Sequence, residues 1–294
     1  MAHRKAISQM SLPVNAKPMS RQEFSSLRDF VYAKSGIFFH ESKQYFLENR
    51  LNRRVSELGL ASYQSYLDLL QGPRGREELK NLFVEVTTNE TSFWRNPPQI
   101  EAFQRTVLPE VAALVRARGS NRLRIWSAAC SSGEEPYTLA IVAQECKDTA
   151  LKGLSVEIVG TDISEKVLDQ ARAATYGSYT LRNLTPQQVK QHFIAKGPES
   201  FELRPELRAM VQLKHFNLVD YSDYRNLGTF DVIFCRNVLI YFDDAVKTKV
   251  IRGFHESLQP RSYLMVGHSE SIHSFSTGFE LLHFSKAMGY RKRA

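Results

Sequence analysis

Apolar side chains recur three and four residues apart through the first ninety positions, and little there reads as strand. Ser20 with Glu23 three residues later has the reciprocal capping pattern of a helix start. It is followed by the stripe Phe24, Leu27, Phe30 and Val31, with Gly36 as a stop. Leu47, Leu51, Val55 and Leu58 predict a second helix over about 43–58, ended by Gly59. Shorter helical patterns follow at 62–70 and 77–90, separated by the turn Gln71-Gly72-Pro73-Arg74-Gly75. A helical domain is therefore expected at 20–90, behind a flexible tail at 1–19.

From about residue 121 the rhythm changes. Residues 123–129, 156–162 and 230–235 are short apolar runs of the kind that buried parallel strands make, and helical stretches at 136–147, 164–174 and 243–258 alternate with them. This is the pattern of an α/β sheet with helices on both faces, placed at 91–294. A long helix over 98–118 leads into the sheet. Residues 262–267 and 281–291 supply further strands, read as an antiparallel pair at the sheet edge. A stretch at about 176–216, with a short helix and strand-like runs near Phe201 and Val211, reads as an inserted subdomain with a small antiparallel sheet.

The chain has 294 residues, enough for about two domains, with 43% hydrophobic and 24% charged residues, ordinary globular values. No apolar run approaches the roughly 20 residues of a spanning helix, so no membrane insertion is expected. Cys130, Cys146 and Cys235 are too few and too scattered for a zinc site or disulfide framework, which suits free thiols in a reducing cytoplasm. The net charge of +8 calls for an acidic partner without choosing among nucleic acid, anionic membrane and acidic protein.

Ligands of an open α/β sheet bind beyond the carboxyl ends of its strands. After the first strand, Ala128-Ala129-Cys130-Ser131-Ser132-Gly133-Glu134-Glu135-Pro136 makes a tight loop into a helix. It is not the three-glycine dinucleotide fingerprint, and its two glutamates would repel a pyrophosphate. A purely structural loop with capping acids is the alternative. The second strand ends at Asp162, where an acid accepts hydrogen bonds from ribose hydroxyls or, alternatively, caps the next helix. The third ends Cys235-Arg236-Asn237, with Tyr241 just beyond. Arg236 could instead be a surface charge and Tyr241 a core aromatic. Carboxylates without phosphate-binding glycines suit S-adenosylmethionine, which carries a sulfonium, an amino group and a ribose diol.

Four segments carry a specific likeness: Asn89-Glu90-Thr91-Ser92-Phe93-Trp94-Arg95, the run from Trp126 to Tyr137, Gly160-Thr161-Asp162-Ile163-Ser164, and the run from Phe230 to Phe242. In this order the sequence resembles the bacterial chemotaxis receptor methyltransferases, the CheR family, from about Arg21 to Arg291. The resemblance implies an all-α domain, a Rossmann-like S-adenosylmethionine-dependent methyltransferase domain and an inserted β-subdomain. It implies methyl transfer to glutamate carboxylates of chemoreceptor signalling helices, yielding methyl esters and S-adenosylhomocysteine.

By motif position, Asn89, Thr91 and Arg95 are expected at the cofactor, with Glu135 and Glu134 near its methionine or ribose part. Asp162 falls at the ribose, Asn217 and Leu218 near adenine, and Arg236 and Asn237 close to the reaction centre. Arg95 and Tyr241 are the candidates for catalytic roles. Arg50, Arg53 and Arg54 share a helix face opposite the Leu47 stripe, and residues 1–60 carry ten Lys/Arg against five Asp/Glu. That face is read as a dock for an acidic receptor helix, a solvated face being the alternative. The short connection Lys196-Gly197-Pro198-Glu199-Ser200 argues against capture of a receptor tail pentapeptide. An RNA acceptor is disfavoured, because no Asn/Asp-Pro-Pro-Tyr/Phe-like motif follows the third strand. No metal is expected, and a cytoplasmic monomer is.

Overall fold

A computed structural model describes residues 18–294, so most of the tail expected at 1–19 lies outside the described residues. Met19, at its end, is buried. The chain divides into two compact units, one reaching to Ala33 and resuming at Phe39–Val86, the other comprising Lys34–Phe38 and Thr87–Ala294.

The first unit is helical: α1 (Arg21–Ser35, which ends in the second unit), α2 (Gln44–Glu57), α3 (Tyr63–Gln71) and α4 (Gly75–Val86). The predicted capping box is formed: Glu23 N–H donates to Ser20 Oγ at 3.2 Å and Ser20 N–H to Glu23 Oε2 at 2.9 Å. Leu47, Leu51 and Val55 of α2 are fully buried, each stabilising the bundle by roughly 1.5–3 kcal/mol.

The second unit is built on a seven-stranded sheet. Its elements in chain order begin with α5 (Pro97–Ala102), a π-turn (Phe103–Val107) and α6 (Leu108–Ala117), together the predicted long helix. The π-turn spans the place where Pro109 lacks an N–H and its ring would crowd the Arg105 carbonyl. Then come β1 (Arg122–Ala128), α7 (Glu134–Glu145), β2 (Ser155–Asp162), α8 (Glu165–Ala173), β3 (Thr175–Gly177), α9 (Pro186–His192), β4 (Phe193–Gly197), β5 (Ser200–Leu203) and α10 (Pro205–Arg208). The chain closes with β6 (Val211–His215), α11 (Tyr224–Leu227), β7 (Phe230–Cys235), α12 (Asp244–Ser257), β8 (Leu258–Val266), β9 (Phe279–Phe284) and β10 (Ala287–Lys292).

The sheet order is β6-β2-β1-β7-β8-β10-β9. The strands from β6 to β8 run parallel, and β10 is antiparallel to both β8 and β9. Strand order reverses on either side of β1, which opens a crevice above the carboxyl ends of β1, β2 and β7. Trp126 anchors the sheet beneath it. Its Nε1 donates to Thr161 Oγ1 at 2.9 Å, and the rings of Phe216, Tyr224, Phe230 and Phe254 surround it.

One expectation is corrected. The run at Val211 does not belong to the inserted subdomain: it is β6, a parallel strand of the main sheet paired with β2 from Ile158↔Val211 to Asp162↔His215. The small antiparallel sheet consists of β3, β5 and β4 only, with Pro198 and Glu199 as its hairpin turn. No helix among the described residues is long and apolar enough to cross a membrane, and all three cysteines are free and buried.

Candidate functional site

The loop after β1 turns on left-handed residues: Ala129 (φ 57°), Ser131 (φ 51°) and Gly133 (φ 94°). At Gly133 a side chain is excluded twice, by φ and by the Ala171 Cβ, which a Cβ here would meet at 2.8 Å. The turn delivers Glu134 and Glu135 at the start of α7, where carboxylates suit the helix dipole. The two then diverge. Glu135 reaches back over β1, accepting from Ser127 Oγ at 2.7 Å and pairing with Arg236 at 3.2 Å. Glu134 folds onto the loop and accepts from Ser132 Oγ at 2.8 Å. Burial pushes both carboxyls above their ordinary range, and for Glu135 this outweighs the attraction of Arg236.

Asp162, at the end of β2, is buried and braces two loops. Its Oδ2 accepts from Ser131 N–H at 2.8 Å and its Oδ1 from Ser164 N–H at 2.9 Å. The Ile163 amide adds to these, and the carboxylate's remaining acceptor capacity is open to a ligand hydroxyl. Burial raises this carboxyl too, against the opposing pull of those amides. Beyond β6, Asn217 donates from Nδ2 to the Lys34 carbonyl at 2.8 Å and accepts from Val219 N–H at 3.3 Å, while Leu218 is buried.

Arg236, at the end of β7, is buried and donates through Nη2 to the Arg95 carbonyl at 2.6 Å. Its Nε has no partner among the described residues. Arg95 sits between two left-handed residues, Trp94 (φ 52°) and Asn96 (φ 60°), ahead of the prolines that start α5, and its Nη1 donates to the Glu90 carbonyl at 2.8 Å. Asn89 Nδ2 donates to Thr87 Oγ1 at 3.1 Å, and its carbonyl accepts from Ser131 Oγ at 3.3 Å. Thr91, two residues on, is half-buried. Tyr241 ends a short 3-10 turn after β7 and is half-buried.

Sequence reasoning missed Glu270. This buried carboxylate gathers four backbone N–H groups: Gly267 (2.6 Å) and Asn237 (2.8 Å) on Oε2, Val238 (2.9 Å) and Ile240 (3.3 Å) on Oε1. It fixes the segment from Asn237 (φ 60°) to Ile240 against the end of β8. The approach is so close that a Cβ on Gly267 would lie 2.6 Å from Glu270 Oε2. An acid three residues after a glycine at a strand end was the available signal.

The structure thus clusters Arg95, Glu135, Arg236 and Asn237 above β1 and β7, and joins Asp162 to Asn89 through Ser131. Asn217 and Leu218 stand at β6. In the helical unit, Arg50 donates to the Glu85 carbonyl at 2.9 Å, Arg53 pairs with Glu85 at 2.6 Å, and Arg54 pairs with the buried Glu78 at 2.6 Å. Arg53 is the exposed member of the three, at 63% against 21% for Arg54.

Two buried carboxylates, a single-glycine loop and a reversed sheet order define an α/β domain suited to a nucleoside cofactor with cationic groups, the class of S-adenosylmethionine-dependent methyltransferases. The comparisons agree. Residues 22–87 match the CheR methyltransferase all-alpha domain, and residues 89–288 match the CheR methyltransferase SAM-binding domain. The chain is 38% identical over 275 residues to chemotaxis protein methyltransferase 1 of Pseudomonas aeruginosa, covering 92% of this chain and 98% of that one. It is 36% identical to chemotaxis protein methyltransferase 2 of Vibrio cholerae (92% of each chain) and 34% identical to the chemotaxis protein methyltransferase of Borreliella burgdorferi (86% and 89%). The chain belongs to the CheR family and is an S-adenosylmethionine-dependent methyltransferase.

Proposed function

We propose that this enzyme esterifies glutamate side chains on the cytoplasmic signalling helices of chemoreceptors, giving glutamate methyl esters and S-adenosylhomocysteine. The single observation that carries this reading is the chemistry absent from the cluster. Arg95, Arg236 and Asn237 offer cations and an amide, with the Tyr241 phenol on the turn beyond, and the histidine that lines the same pocket, His268, has no hydrogen-bond partner among the described residues that would set it up as a general base. A glutamate acceptor needs none, since its reference pKa of about 4.3 leaves it ionised at neutral pH.

The bound cofactor supplies an electrophilic methyl group. Asp162 would accept from the ribose hydroxyls, and Asn89 and Thr91 would border the same side. Glu135, already oriented by Ser127 and Arg236, would face the cationic methionine end, while Glu134 holds the loop through Ser132. Leu218 would wall the base, with Asn217 holding its loop. Arg95 and Tyr241 orient the incoming carboxylate, and Arg236 and Asn237 shape the centre between them. Positioning of this kind accounts for up to ~7–11 kcal/mol of a barrier. Arg95 must engage the carboxylate loosely, because stabilising the ground-state anion would slow transfer. Receptor docking falls to the exposed Arg53, with Arg50 and Arg54 anchoring the same helix. Capture of a receptor tail by the small sheet is not part of this reading, nor are nucleic acid or further subunits.

The test is transfer of tritiated methyl to receptor-containing bacterial membranes, followed by mild alkali. Label released as volatile methanol is a carboxyl ester and is the expected result. Alkali-stable label, or label on RNA, refutes the acceptor.

A further inference from the structure

We propose that the cationic pocket opening from this centre, with His268 and Lys286 on its exposed rim, receives there an acidic side chain of the protein substrate that flanks the methyl acceptor. The inference rests on the reading of the substrate given above, and extends it to two residues outside the four family motifs.

The pocket has a volume of about 420 Å³ and is lined by Arg95, Asn96, Arg236, Asn237, His268 and Lys286. At roughly 30 Å³ per water it has room for about a dozen waters, more than the carboxylate of one acceptor occupies. No lining residue is acidic. None is a Phe, Tyr or Trp, and the His268 imidazole is the one ring in the lining, so the pocket suits a carboxylate better than a run of stacked bases.

The lining charges are not equivalent. Arg236 is committed to Glu135 and to the Arg95 carbonyl, and Arg95 to the Glu90 carbonyl. Among the described residues, no hydrogen bond or ion pair engages the Lys286 ammonium or the His268 ring. Lys286 is exposed on the two-residue turn between β9 and β10, in a left-handed conformation (φ 60°) that disfavours any residue with a Cβ. Asn96 and Asn237 share that conformation, so half of the lining is held in backbone geometry that only a surrounding constraint maintains.

Cations placed on the acceptor itself would bind the ground state and blunt the nucleophile. Placed on a neighbouring carboxylate, they convert remote attraction into alignment of the acceptor. Lys286 stands at the rim and is suited to that second task, and the His268 ring can add a hydrogen bond there.

The experiment uses full-length enzyme saturated with S-adenosylhomocysteine and a fluorescein-labelled triglutamate peptide, read by anisotropy at 50 mM salt. Wild type should bind it, Lys286→Glu should weaken binding at least fivefold, and Lys286→Arg should restore it. Lys286→Gly separates recognition from folding: it relieves the left-handed strain, so its melting temperature should be no lower than wild type while affinity falls. In methyl transfer, Lys286→Glu should raise the KM for receptor at least fivefold with kcat within twofold and cofactor affinity unchanged. No binding by wild type, equal binding by Lys286→Glu, or binding of single-stranded RNA in place of the peptide overturns the pocket's assignment. Alkali-stable label from wild type would instead overturn the proposed acceptor while leaving the anisotropy result standing.

Discussion

Glu270 offers the sharpest test of how the centre is held. Its two oxygens accept four backbone N–H groups, three of them at 2.6 to 2.9 Å. Hydrogen bonds to a charged acceptor contribute about 1.5–3 kcal/mol each. Glu270→Gln keeps one oxygen and turns an amide NH2 toward two N–H donors, so two charge-assisted bonds are lost and two donors face a donor. The two lost bonds alone come to about 3–6 kcal/mol, a large share of the 5–15 kcal/mol that stabilises a typical domain. For a domain of this size about 1 kcal/mol lowers the melting temperature by roughly 2–4 °C, so a fall on the order of 10 °C is expected.

The same substitution frees Asn237 and the turn carrying Tyr241, so kcat should fall at least tenfold at temperatures where the variant is still folded. Amide hydrogen exchange gives the local readout. The Asn237, Val238 and Gly267 amides should lose protection in Glu270→Gln, while amides of β1 should not. A variant that melts within 2 °C of wild type, with those amides still protected, would refute the reasoning. The loop would then be held by its own turns rather than by this carboxylate.

Three further outcomes follow from the geometry. Asp162→Asn retains one acceptor oxygen for the Ser131 and Ser164 amides, and calorimetry with S-adenosylhomocysteine should show at least a tenfold loss of affinity. Arg54→Ala removes the partner of buried Glu78 and should cost about 2–3 kcal/mol in a urea melt, discounted from a fully buried pair because Arg54 is partly exposed. Arg53→Ala at the more exposed position should cost under about 1 kcal/mol, making Arg53→Glu the cleaner probe of receptor KM. Burial raises Glu135, so it takes up a proton at a higher pH than a free carboxyl, and the protonated form cannot pair with a cation. Affinity for sinefungin, a cationic analogue of the cofactor, should therefore fall as pH is lowered, with a midpoint above that of an ordinary carboxyl. A Glu135→Gln variant whose affinity falls with pH as steeply as wild type would refute this role for Glu135.

Much of this was legible in the chain because the relevant forces are local. Parallel strands covered on both faces read as continuous apolar runs, and β7 is buried at every position. The capping box of Ser20 and Glu23 is written within four residues. The likeness to the CheR family rested on short segments at strand ends, where a ligand's demands concentrate on few residues. What escaped was non-local. The strand β6 alternates half-buried with exposed positions at the sheet edge, so its sequence looks like a small exposed hairpin rather than part of the core. Glu270 recognises amides, which every residue carries, so apart from its spacing from Gly267 it leaves little side-chain pattern to read. Arg54 looked like a free charge because Glu78, 24 residues away, meets it only after α2 and α4 pack.

The same distinction bears on how the enzyme spends its charges. Methyl transfer from a sulfonium to a carboxylate annihilates a positive and a negative charge, so a site that bound both reactants tightly would stabilise the start more than the transition state. On the function proposed above, the two tasks fall to different residues. Buried carboxylates stand at the ends of β1 and β2, two of them already satisfied in part by Ser131, Ser164, Ser127 and Arg236. The uncommitted Lys286 ammonium and the His268 ring lie at the exposed rim of the pocket, on the β9–β10 turn and just beyond β8. On that reading, attraction would be moderated near the reacting atoms and stronger at the rim. On this argument Lys286→Glu should act on KM and Glu270→Gln on kcat, and a double variant should show the two effects multiplying. If both substitutions acted on kcat alone, the rim and the centre would be one functional unit and the separation argued here would be wrong.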